Sequence, residues 1–127
     1  MQRTYLAWGS LLAMLSVGIG AFGAHLLKPV IDADMLKVYE TGVQYQMMHA
    51  LALILIALLI GQWGESSRLR WAGNLLIAGT VLFSGSLYVL SISGIKILGA
   101  ITPLGGLCFL AGWLCLVLEV LTRNKQR

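Results

Sequence analysis

The sequence predicts an all-α membrane protein in which four transmembrane helices form an antiparallel up-down bundle. Composition is the first observation: 58% of the 127 residues are hydrophobic and 11% are charged, with a mean hydropathy of +0.85, against about one quarter charged in soluble domains. Distribution is the second. Residues 4–24, 46–64, 71–95 and 97–118 contain no Asp, Glu, Lys or Arg, and at ~1.5 Å per residue a helix of about 20 residues crosses the ~30 Å hydrocarbon core. The third is economy of connection. The four runs take up nearly the whole chain, which leaves one domain over 1–127, with helices at about 4–27, 45–63, 71–93 and 97–121, and short links that set neighbours antiparallel.

The first helix is expected to stop near Leu27, because Pro29 cannot continue it and disfavours a helical Lys28. Arg3 and the apolar run behind it imitate a signal peptide, but the run exceeds the ~7 to 15 residues of such a segment, so it reads as a span that stays. Ser16, Gly20 and Ala24 recur every four residues, a ridge of small side chains suited to close helix packing. Gly105 and Gly106 offer the same on the fourth helix. Between the first two spans, Val30, Met35, Val38 and Gly42 form a loose stripe that allows a short interfacial helix, capped by Asp32 or Asp34. Trp63 and Gly64 close the second span at an interface, and a tight turn over 65–70 leads to the third. In the fourth run Pro103 removes a ladder hydrogen bond, which a Thr102 hydroxyl can help to replace.

Lys and Arg set the orientation. Arg3, Arg68, Arg70, Arg123, Lys125 and Arg127 fall at the end that holds both termini, against Lys28, Lys37 and Lys96 at the other, so the termini are expected in the cytoplasm. The uncommon polar residues then gather in the outer leaflet: His25, Gln46, His49, Ser84, Ser86, Tyr88 and Thr102. An unpaired amide or imidazole in hydrocarbon costs several kcal/mol, of order 2 to 7, so these side chains should face the bundle interior. His25, Gln46, His49 and Tyr88 are expected to converge there in one cluster.

Gly20-Ala-Phe-Gly-Ala-His25, Tyr45-Gln46 with His49, Leu82-Phe-Ser-Gly-Ser-Leu-Tyr88, and Thr102-Pro-Leu-Gly-Gly106 followed by Gly112-Trp113 lie across all four spans. In these motifs the chain closely resembles the YgdD and YwdK family of small bacterial inner-membrane proteins of unknown function. The resemblance implies a four-helix membrane protein of the inner membrane, and it implies no activity.

The residues themselves favour a non-enzymatic binding or accessory protein. A Ser84 or Ser86 nucleophile with His49 as base lacks the Gly-x-Ser-x-Gly elbow and an orienting acid. The alternative is a small proton-linked transporter or channel acting as an oligomer, since histidine titrates near neutrality. Haem or metal binding through the two histidines ranks below it, with no intramembrane carboxylate or thiol at their level. No cofactor follows from the sequence. Cys108 and Cys115 stand two turns apart, beyond disulfide reach and without metal-ligand spacing. The expected partners are the lipid bilayer and a second copy or another membrane protein; scattered basic residues give no face for nucleic acid.

Overall fold

The computed structural model describes residues 1–125. Of the cations counted above, Arg127 lies outside the described residues. Helix α1 (Gln2–Phe22) runs on into a π-helical turn (Gly23–Leu27), followed by α2 (Ala33–Trp63), α3 (Ser67–Ser93), a 3-10 turn (Lys96–Ala100) and α4 (Thr102–Lys125). Four helical stretches among the described residues are long and apolar enough to cross a membrane. The expected fold class is therefore found.

Two boundaries differ from the sequence expectation. The segment after Pro29 forms no separate interfacial helix but is the first half of α2, started by Asp32, whose Oδ1 accepts from the Met35 N–H at 2.8 Å. Nothing between Ala33 and Trp63 breaks a helix, so polarity changes along the rod while its geometry does not. The fourth helix begins at Thr102, after the 3-10 turn. Pro103 thus sits in the first turn, where its missing N–H had no intrahelical partner to lose.

Polar ties at both ends of the bundle establish the up-down order. The Met1 amino group lies 3.7 Å from Glu65 beyond the end of α2, and Ser66 at the start of α3 donates to Glu119 near the end of α4 at 2.9 Å. At the opposite end Ser86 of α3 meets Thr102 of α4 at 2.5 Å. Helix α1 packs on α2, α2 on α3 and α3 on α4. The central pair is the most enclosed: 44% of the apolar window of α2 and 39% of that of α3 are buried, against 17% and 22% for α1 and α4. Large apolar side chains such as Val17, Val81, Leu107 and Leu110 stay exposed, as suits helices whose outer faces meet acyl chains as apolar as themselves.

Without a hydrophobic drive between helices in lipid, close packing must supply the attraction, and here bulky side chains fit against glycines across the seams. Phe109 of α4 occupies the space at Gly79 of α3 and Tyr88 of α3 that at Gly42 of α2, while the α3 backbone at Phe83 closes directly on Gly105 of α4. A Cβ on Gly9 would lie 2.8 Å from the Ala50 carbonyl oxygen. The termini end has its own polar ties: buried Glu119 accepts from Arg123 at 2.9 Å, and the guanidinium lies 4.8 Å above the Trp63 ring.

Candidate functional site

Helix α2 has partners on several sides, so its polar residues answer to different neighbours. Buried Gln46 faces α1 and α3. Its Nε2 donates to the Leu12 carbonyl at 2.9 Å and its Oε1 accepts from the Tyr88 hydroxyl at 2.6 Å. One amide thereby ties three helices, with donor and acceptor both used. One turn earlier Ser84 of α3 donates to the Gly42 carbonyl at 2.7 Å. Ser86 and Thr102 pair separately on the α3–α4 side.

His49, three residues on from Gln46, turns instead to α4. The ring is 2% exposed and stacks on Phe109, with centroids 3.6 Å apart and planes 10° from parallel. Its Nδ1 lies 2.8 Å from the Tyr45 carbonyl, and its Nε2 lies 3.0 Å from the indole Nε1 of Trp113. A carbonyl only accepts and an indole N–H only donates, so the proton is on Nδ1 and the lone pair on Nε2. Both nitrogens are spent within the protein.

The expected four-residue cluster therefore divides. Gln46 and Tyr88 meet; His49 joins Trp113; His25 joins neither. The antiparallel register separates the histidines: Gly23, two residues before His25, packs against Tyr39, and Tyr39 precedes His49 by ten residues, about 15 Å of helix. The π turn also decides which side chains face inward. The Lys28 N–H reaches back five residues to the Gly23 carbonyl at 3.0 Å, Gly23 and Leu27 are buried, and His25 is exposed. The Tyr39 hydroxyl donates to the Ile19 carbonyl at 2.5 Å, which fastens this end of α1 to α2. A metal or haem held between the histidines lacks geometric support, because one ring is remote and the other has no free lone pair.

The small-residue ridge divides as well. Ser16 is buried, Gly20 is half-buried with Val43 3.3 Å from where its Cβ would be, and Ala24 is exposed. On α4, Gly105 is closed by Phe83 whereas Gly106 has nothing within 4 Å.

That open glycine belongs to a groove of ≈ 600 Å³ between α2 and α4. Tyr45, His49 and Phe83 line it on one side, Phe109 and Trp113 on the other, and Met48, Leu107 and Leu110 form its exposed rim. The aromatic rings brace one another: Tyr45 and Phe83 are 4.6 Å apart between centroids and Phe83 and Phe109 5.5 Å, spacings favourable to aromatic pairs. With His49 and Trp113 bonded to each other, the deep part of the groove presents ring faces and aliphatic carbon. Sequence reasoning centred on rare polar residues missed it. The available signal was aromatic spacing, Tyr45 to His49 on α2 and Phe109 to Trp113 on α4, each pair one turn apart. Glu119 and Arg123, spaced by four, were readable in the same way.

The family model described as "Protein of unknown function (DUF423)" matches residues 19–106. The chain belongs to this family. It is 49% identical to a UPF0382 membrane protein of Staphylococcus haemolyticus over 93% of this chain and 95% of that protein. Identity to the UPF0382 membrane protein YwdK of Bacillus subtilis is 48% over 91% of this chain and 94% of the relative. A UPF0382 membrane protein of Staphylococcus saprophyticus is 47% identical over 92% and 96%. The resemblance to the YwdK family is thus confirmed, and with it a multi-helix membrane protein of unknown function. No solved structure matches the chain.

Proposed function

We propose that this chain is a non-enzymatic lipid-binding accessory protein of the bacterial inner (plasma) membrane, with both termini cytoplasmic, and that the groove between α2 and α4 holds a hydrocarbon chain of a membrane lipid. The observation that carries the reading is the aromatic groove at membrane depth whose deep polar atoms, His49 Nε2 and Trp113 Nε1, are committed to each other. A deep surface whose polar atoms are already paired suits an apolar occupant, and the groove's volume lies within the ~300 to 1,000 Å³ of small-ligand sites. The same pairing speaks against transport through His49, because an imidazole that accepts from an indole on one side and donates to a carbonyl on the other has no place for a travelling proton.

The test is lipid carried through purification. Chain purified in mild detergent should retain bound lipid, and Gly106→Leu, which puts a side chain into the groove where no atom lies within 4 Å, should retain much less. Equal retention overturns the groove. Proton or solute flux in liposomes reconstituted with the protein alone overturns the accessory reading. A C-terminal reporter fusion should register in the cytoplasm, and an external signal overturns the orientation.

A further inference from the structure

The wall of the groove carries a hydroxyl that the fold does not use. Tyr45 lines the groove, its ring is held against Phe83, and its backbone carbonyl accepts from His49. Among the described residues its phenolic oxygen makes no hydrogen bond, whereas Tyr5, Tyr39 and Tyr88, the other tyrosines of the chain, all do. Depth makes the contrast informative. Glu40 is the last charged residue before the uncharged stretch 41–64, and Tyr45 stands five residues further in, about 7 Å along the helix. Tyr45 is 37% exposed, so its hydroxyl is open to a partner outside the fold, at a position near the interface that suits tyrosine.

We propose that the groove takes one acyl chain of an ester-linked glycerolipid, with the ester carbonyl accepting a hydrogen bond from the Tyr45 hydroxyl. This rests on the lipid-groove reading above and gives it a ligand class. Dimensions agree. From Pro103 to Trp113 the α4 wall runs ten residues, roughly 15 Å, long enough to lie along part of an extended acyl chain. On the facing α2 wall, one turn from His49 and with its ring 6.2 Å from that of Phe109, Tyr45 supplies the donor that an ester needs. At the far end Trp113 has given its N–H to His49 and offers a ring face to the end of the chain. Gly106 leaves the middle open. A partner helix is the poorer occupant, since a helix is ~10 to 12 Å across with its side chains and a single hydroxyl at one end answers none of its features.

The experiment compares dioleoyl phosphatidylethanolamine with its dialkyl ether analogue, which keeps headgroup and chains but lacks the carbonyls, by competitive binding to the delipidated protein in detergent with native mass spectrometry as readout. The parent chain should prefer the ester lipid about fivefold, the difference expected for one neutral hydrogen bond. Tyr45→Phe should bind both lipids equally, and Gly106→Leu, checked as folded by thermal melting, should bind neither. Equal binding of ester and ether by the parent, or a preference that survives Tyr45→Phe, overturns the Tyr45 proposal and leaves the groove standing. Undiminished binding by Gly106→Leu overturns both. So does a parent dimer that Gly106→Leu converts to monomer with no change in lipid, since the groove's occupant is then a second copy.

Discussion

Gln46 and His49 are three residues apart on one helix, and their surroundings differ in kind. The Gln46 side of α2 is closed: α1 approaches through Gly9 and Gly23, Tyr88 of α3 fits at Gly42, and the amide has a partner for its donor and for its acceptor. The His49 side is satisfied but open, with its two hydrogen bonds made and ≈ 600 Å³ of groove beyond the rings. The difference teaches that satisfying polar groups and filling space are separate problems. Helices α1 and α3 do both at Gln46; α4 does only the first at His49, because Gly106 faces the groove with no side chain to fill it.

Adjacent glycines give the sharpest way to break this comparison. Gly105→Leu forces a side chain into the Phe83 backbone and should cost about 3 kcal/mol or more, or prevent folding, while Gly106→Leu should melt in detergent at or above the parent temperature. Similar melting of the two variants would mean that the closed and open sides are not distinct. Next in size, Gln46→Leu orphans the Tyr88 hydroxyl inside the bundle and removes a three-helix tie, which should lower stability by about 2 kcal/mol in detergent denaturation. Trp113→Phe keeps a six-membered ring and removes the pyrrole half of the indole with its N–H to His49, so about 1 kcal/mol is expected. A loss as large as that of Gln46→Leu would show the His49 side to be structural and not spare. His25→Ala, on an exposed face of the π turn, should change melting by less than about 0.5 kcal/mol; a larger loss would place His25 in a contact that the register denies it.

Much of the polar layer was legible before the fold. Gln46 with Tyr88, and Ser86 with Thr102, come together because residues of matching depth on neighbouring antiparallel helices must meet something, and hydrocarbon offers nothing. His25 was misplaced for a reason of the same kind. Depth was judged from hydrophobic runs, but α2 starts at Ala33, thirteen residues before its apolar run begins at Gln46, which shifts His49 toward the middle of the helix and away from the end of α1.

By itself the sequence determined the class of protein, the number of spans, their up-down order and the stretches that carry rare polar groups, since these depend on quantities read along one chain: length, charge and hydropathy. Only the tertiary structure decided which glycine is filled and which is open, that Gln46 answers to α1 and α3 while His49 answers to Trp113, and that one tautomer of His49 closes its chemistry. Those outcomes depend on rotation of each helix about its axis and on the register between helices. A helix apolar all round leaves both unfixed, because every face is equally acceptable to lipid until a neighbour's side chain finds its glycine.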